Sequence, residues 1–204
     1  VMVLGQSGCG KSTSLENLDP KETILIKVVN KPLPFRSGEW KQWDNATGTG
    51  SIINTDSPSM IQAIIRGAKS KGKSIVVIDD MQYIMANEFM RRSAETGWGK
   101  FTDIAKGIWE LLMVANDEAP SDVRVYFLSH TDTDDNGNVK AKTIGKLLDE
   151  KICIEGLVTV VLRAMKVSDK YYFATQNNGR DTCKSPKGMF AELEIENDLR
   201  KVDD

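Results

Sequence analysis

The run GQSGCGKS, residues 5–12, spaces Gly5, Gly10, Lys11 and Ser12 as G-x-x-x-x-G-K-[ST]. Those residue types suit one task, holding a chain of phosphates. Glycines let the backbone curl until successive N–H groups point inward at anionic oxygens. The Lys11 ammonium can reach the outer phosphates, and the Ser12 hydroxyl can ligate Mg²⁺. The loop Gly5, Gln6, Ser7, Gly8, Cys9, Gly10, Lys11, Ser12 and Thr13 is therefore the candidate nucleotide cradle. Cys9 within it reads as a small residue in a tight place.

A Mg²⁺-triphosphate also needs an acidic partner. SIVVIDD, residues 74–80, offers Asp79 at the C-terminal end of a β-branched apolar run. A carboxylate leaving a buried strand there is the Walker B arrangement, with Ser12 and Asp79 sharing the metal. The bland alternative is that Asp79-Asp80 only terminates a strand. GTPase signatures fail: Asp79 is followed by Asp80-Met81-Gln82, where D-x-x-G needs glycine, and Asn30-Lys31 by Pro32-Leu33, where N-K-x-D needs an acid. Adenine is thus the default base, and ATP with Mg²⁺ the expected ligand pair.

These groups require an alternating scaffold to position them. Residues 1–4, 23–29, 51–55, 74–80, 123–129, 157–163 and 170–175 read as strands, with 30–50 a long loop broken by prolines and glycines. Residues 11–18 read as a helix stopped at Asp19-Pro20. Ser57 is an N-cap before Pro58, and Ile61, Ile64, Ile65 and Ala68 share one helical face. Further helices are expected at 81–92, 99–116 and 143–151; the segment 99–116 carries an i, i+3, i+4, i+7 apolar stripe. Residues 189–204 are ambiguous and read as a possible terminal extension. Strands alternating with helices imply an α/β three-layer sandwich around a mostly parallel sheet, with residues 1–204 forming one domain.

Composition narrows the partners. The chain has 204 residues and a formal net charge of −2, so nucleic-acid binding would rest on local patches. Cys9, Cys153 and Cys183 are scattered, which suits a reducing compartment. No apolar run approaches the ~20 residues of a membrane span.

The order of these motifs resembles RecA-like and AAA-type ATPases, in which a strand is inserted between the Walker A and Walker B strands. More narrowly, the chain resembles small RecA-core ATPases encoded by bacteriophages, a group that includes single-strand-annealing recombinases. The likeness rests on GQSGCGKST, SIVVIDDMQYI, the GWGKF helix start, VYFLSH and FATQNNGRDTCKSPKGMF. It implies an ATPase acting on single-stranded DNA in recombination or annealing, working as a homo-oligomer or filament in the (host) cytoplasm without a membrane.

The resemblance also assigns roles. AAA-type proteins carry a Glu beside the Walker B Asp; here that place is Asp80, the first choice for orienting water. RecA uses a Glu ending the next strand, which TILIKVVN lacks, so Asp56 and Glu88 are fallbacks. His130 ends VYFLSH where such families sense the γ-phosphate. Arg180 and Lys184 become candidate fingers reaching a neighbour's site. The loops after residues 80 and 130, with Arg91, Arg92, Trp98, Lys100, Lys140, Lys142 and Lys146, become the DNA-binding candidates. Two alternatives stand: an AAA-type protein-remodelling ATPase, and a nucleotide-gated interaction module with little hydrolysis. Residues 132–143 imitate a calcium loop but end in Thr143 where a bidentate Glu is needed, so a hairpin turn at Asn136-Gly137 is expected. Trp40 and Trp43 are expected to pack as lids.

Overall fold

The computed structural model describes residues 1–204. Its elements are β1 (Met2–Leu4), β2 (Thr23–Lys27), β3 (Ile52–Asn54), α1 (Pro58–Gly67), β4 (Ile75–Asp79), α2 (Gln82–Arg91) and α3 (Gly99–Asp117). They continue with β5 (Arg124–Ser129), β6 (Thr131–Thr133), β7 (Val139–Ala141), β8 (Val161–Val167), β9 (Lys170–Ala174), β10 (Glu194–Glu196) and α4 (Leu199–Asp203).

The main sheet runs β10-β9-β8-β1-β5-β4-β2-β3. From β8 to β3 all neighbours pair in parallel, and β9 and β10 close the other edge antiparallel. The chain is thus an α/β protein of RecA-like order: β5 is inserted between β1, which leads into the Gly-rich loop, and β4, which ends at Asp79. Parallel strands covered on both faces must be apolar throughout, and β1, β2 and β4 are buried at every position.

The two faces are covered unequally. On one, Ile61, Ile64 and Ile65 of α1, Ile84 and Met85 of α2, and Ile104, Ile108, Leu111 and Leu112 of α3 pack on Ile24, Ile26, Val76, Ile78 and Phe127. The other face carries a thinner layer: Leu15, Leu18, Trp40, Leu199 and Val202 pack on Val3, Leu25, Val77, Tyr126 and Leu128. Helix α1 starts as its cap foretold, with the Ser57 side chain accepting from the Met60 amide.

Two expected helices do not form. Residues 11–18 make only a 3₁₀ turn at Thr13–Leu15. Three successive hydroxyl residues compete for the backbone: Ser14 Oγ donates to the Lys11 carbonyl at 2.6 Å, the acceptor a helix would offer to Leu15. Leu15 N–H turns instead to Ser12 O. Residues 143–151 likewise give only a five-residue π-type turn at Leu147–Lys151. The last long strand begins at Val161, later than expected, because Ile154–Leu157 forms a 3₁₀ turn.

The ambiguous tail forms β10 and α4. Asp198 caps α4 through the Arg200 amide and accepts from Asn17 Nδ2 at 2.8 Å, tying the tail beneath the 3₁₀ turn. Asp203 accepts from Arg124 Nε and Nη2 at 2.8 and 2.6 Å and from the Tyr126 hydroxyl at 2.7 Å. Burial alone would raise the Asp203 carboxyl, but the bonds from Arg124 and Tyr126 outweigh it and hold it below the usual range. A depressed folded-state value stabilises above the unfolded carboxylate range, and the gain disappears as pH falls through the folded-state value. Asp203→Asn should therefore cost about 1–3 kcal/mol at pH 7 in urea unfolding, and the gap to wild type should shrink in acid. A gap that does not change with pH would contradict the ionic part of this clamp.

Candidate functional site

The Gly-rich loop leaves β1 and curls over its C-terminal edge. Gly8 and Gly10 take left-handed backbone at φ +78 and +95. At Gly10 a Cβ would also meet Tyr171 Cδ1 at 2.9 Å and Asn197 Oδ1 at 3.0 Å. At Gly5 a Cβ would lie 2.4 Å from Cys9 Sγ, so Cys9 is the small residue in a tight place that the sequence suggested. Burial pushes its thiol up, against the pull of Lys11.

The amides of Gly8, Gly10, Ser12 and Thr13 donate to no acceptor within the protein. These residues line a cleft of about 350 Å³ together with Ser7, Lys11, Lys27, Lys31, Pro32, Leu33, Pro34, Asp79, Asp80, Tyr83 and His130. Unspent amides beside several cations fit a polyphosphate. Because the following turn is so short, a phosphate held here would rest on the loop amides and lysines without a long helix dipole.

Lys11 is 5% exposed and donates to Gly5 O at 2.8 Å and Gln6 O at 3.0 Å. Ser12 Oγ donates to both Asp79 carboxylate oxygens, at 2.9 and 3.1 Å. A hydroxyl and a carboxylate in contact form an oxygen donor set suited to a hard cation such as Mg²⁺. No cluster of three His, Cys, Asp or Glu side chains could hold a metal unaided. The pair fits a metal that completes its coordination with phosphate oxygens and water.

Asp79 and Asp80 are 3% and 2% exposed, yet their environments differ. Burial, and then the neighbouring Asp80 charge, push Asp79 up. Burial would raise Asp80 too, but the bond from His130, with Lys11 and Lys31 nearby, brings it below its ordinary value. Asp80 Oδ2 lies 3.1 Å from His130 Nε2 and 3.4 Å from Lys31 Nζ, and its Oδ1 is buried without a partner. The Tyr83 and His130 rings pack in a T-shape, with centroids 5.9 Å apart. Adjacent carboxyls driven in opposite directions are suited to different tasks, one for metal and one for water or proton handling.

Other expected residues lie elsewhere. Glu88 does not line the cleft; it pairs with Arg91 and Arg92 on α2. Asp56 accepts from Asn87 and Arg91. Neither fallback carboxylate is placed to orient water at the loop. Arg91 and Arg92 each pair with acids, Asp56, Glu88, Glu95 and Asp103 among them. Lys100 donates to the Arg92 and Glu95 carbonyls, and Lys140 pairs with Asp149 at 2.6 Å. Lys142 and Lys146 are exposed, and Trp98 is 77% exposed beside Phe101. The Lys142 amide donates to His130 O, joining that segment to the cleft. Arg180 lies exposed, Lys184 bridges Val161, and neither reaches the cleft of its own chain.

The imitation calcium loop is the β6–β7 hairpin turn, in which Asp134 accepts from the Asn136 and Asn138 amides. Trp40 is buried against Phe35. Trp43 lies under Lys71, 5.4 Å from ring centre to ammonium. The sequence reading missed Lys27, Lys31 and Tyr83. Lys27 had a signal, a charge inside the apolar strand TILIKVV; Lys31 and Tyr83 had none.

Fold and cleft together define an α/β protein of RecA-like order whose Gly-rich loop and acidic strand end share one site. No protein-family model and no curated protein matches the chain. Among solved structures it is similar to a KaiC-like protein from the hyperthermophilic archaeon Pyrococcus horikoshii, at 13% identity and a TM-score of 0.47 over 84% of this chain and 75% of that one. What the cleft can bind follows from its own side chains, not from that likeness. No helix is long and apolar enough to cross a membrane.

Left-handed backbone penalises any side chain by about 1–2 kcal/mol. Gly8 and Gly10 share that penalty, but only Gly10 has atoms in the way, since nothing lies within 4 Å of a Cβ at Gly8. Gly10→Ala should therefore cost more stability than Gly8→Ala in urea unfolding. Equal losses would contradict the close approach of Tyr171 and Asn197.

Proposed function

We propose that the chain binds ATP with Mg²⁺ and hydrolyses it. One observation carries this reading: the loop amides, Lys11, the Ser12–Asp79 pair and the Asp80–His130 pair converge on one cleft. The loop and Lys11 would hold the phosphates, and Ser12 and Asp79 the metal. Bound Mg²⁺ would neutralise charge building between the phosphates. Asp80, fixed at Oδ2 by His130, offers the unpartnered Oδ1 to orient a water and accept its proton. His130 holds the carboxylate ionised and in place. Its carbonyl bond to Lys142 gives the β6–β7 segment a direct link to the cleft.

The work we propose for this ATPase is on single-stranded DNA, in recombination or annealing of phage type, by a homo-oligomer or filament. The sequence resemblance supports this, as do the exposed Trp98, Lys142 and Lys146. In such an assembly Arg180 or Lys184 would be the side chains offered to a neighbouring cleft. The paired state of Arg91 and Arg92 favours a second reading, a nucleotide-gated module whose partner is not a nucleic acid.

Asp80→Asn separates binding from chemistry. It should leave ATP affinity within about threefold in calorimetry and lower turnover by about 10²-fold or more. Unchanged turnover would remove Asp80 from the mechanism. DNA-stimulated turnover supports the recombination reading, and tight ATP binding without turnover supports the gated module. Lys142→Ala with Lys146→Ala should weaken single-stranded DNA binding and lower its salt slope by about 0.7 per lost phosphate contact. An unaltered titration would remove that segment from the DNA path.

A further inference from the structure

Lys27 is the least expected residue in the cleft. It ends β2, a strand otherwise made of Thr23, Ile24, Leu25 and Ile26, and is only 7% exposed. Its ammonium donates to Asn30 Oδ1 at 3.2 Å, and no carboxylate lies within ion-pair distance. Buried lysines without an anion are costly, and a fully apolar strand end would suit the core better. A polyphosphate in the cleft would supply the missing anion.

Position says which part of the ligand Lys27 would meet. Lys27 and Asp79 are register partners on neighbouring parallel strands, so both project from the same sheet face. Leu25, two residues earlier, belongs to the core that holds Leu15 and Leu18, so this is the face the Gly-rich loop covers. From the loop strand the order is β1-β5-β4-β2. Lys27 therefore lies beyond the metal-binding acid, at the far end from the loop. Phosphates threaded from the loop amides past Ser12 and Asp79 would end beside it.

The next residues add a second cation. After β2 the chain crosses the cleft as Asn30-Lys31-Pro32-Leu33-Pro34, and Lys31, Pro32, Leu33 and Pro34 line the wall. Two prolines restrict this strap. Phe35 anchors it edge-on against buried Trp40, with ring centroids 6.1 Å apart. Lys31 Nζ lies 3.4 Å from Asp80 Oδ2, the oxygen that His130 also holds, which leaves Oδ1 to the water.

We propose that Lys27 and Lys31 form a clamp, supplied by the same chain, for the terminal phosphate of a bound nucleoside triphosphate. This rests on the nucleotide reading above and deepens it. The clamp makes the cleft selective for triphosphate over diphosphate without a neighbouring subunit. A partner's basic residue would add to the clamp and not create it. Lys31 also ties the terminal phosphate to Asp80, so the carboxylate and the phosphate it serves are aligned by one side chain.

The test is binding, not turnover. Calorimetry in Mg²⁺ compares a non-hydrolysable ATP analogue with ADP for wild type, Lys31→Ala and the near-isosteric Lys27→Met. Wild type should prefer the analogue. Each variant should lose about tenfold or more for the analogue, the size of one charge-assisted hydrogen bond, and less than about twofold for ADP. Lys31→Arg should restore the preference. Adding Lys11→Ala chains, which keep Lys31, to Lys31→Ala should bring no recovery. Equal losses for both nucleotides, or recovery on mixing, would overturn the clamp while leaving the nucleotide site standing. Wild type with no affinity for either nucleotide would remove the nucleotide reading itself, and the clamp with it.

Discussion

The molecule turns on the contact between Ser12 and Asp79. A hydroxyl from the loop after β1 meets a carboxylate at the end of β4, with β5 between those strands. The sheet must hold both to within a hydrogen bond across that gap, and it does so with three strands that are buried almost throughout. Packing on one face by α1, α2 and α3 leaves the other face open at its carboxyl edge, where the loop lies. Asp79 could not stay buried there without a compensating donor or cation; Ser12 is the first, and a metal would be the second.

Around that contact the charges are arranged by depth. Lys11 tethers the loop to itself, Asp80 is anchored by His130 and Lys31, and Lys27 waits beyond Asp79. The support is unusual in being thin. Where a long helix would brace the loop, a single 3₁₀ turn is held instead by α4 and by the Asn17–Asp198 bond. The tail therefore bears directly on the cleft, since Asn197 occupies the space that a side chain at Gly10 would need. Strands and helices far apart in sequence thus meet at one loop.

Much of this was legible in the sequence because the relevant signals are local. The Ser57-Pro58 cap and the isoleucine stripe define α1, and the apolar run ending in two acids defines β4. Helical reading failed at residues 11–18 because Ser12, Thr13 and Ser14 redirect the backbone, a competition that periodicity does not register. Acids interleaved with the loop arginines, Glu88 and Glu95, were legible in the sequence, whereas the pairing with Asp56 and Asp103 needed the fold. The strap lysine was invisible for the same reason: nothing around residue 31 reveals that the chain there crosses the edge of β4. Lys27 was readable as an anomaly, a charge where the strand demanded an apolar side chain, but its purpose needed the register with Asp79.

The measurement that bears most directly on the Ser12–Asp79 contact is calorimetric titration of the folded wild-type chain with ATP, once with magnesium and once with EDTA. One saturable site per chain that weakens at least about tenfold without the metal is the expected result. No binding heat from folded protein, or an affinity indifferent to magnesium, would contradict a loop and a distant carboxylate acting on one metal-bound triphosphate.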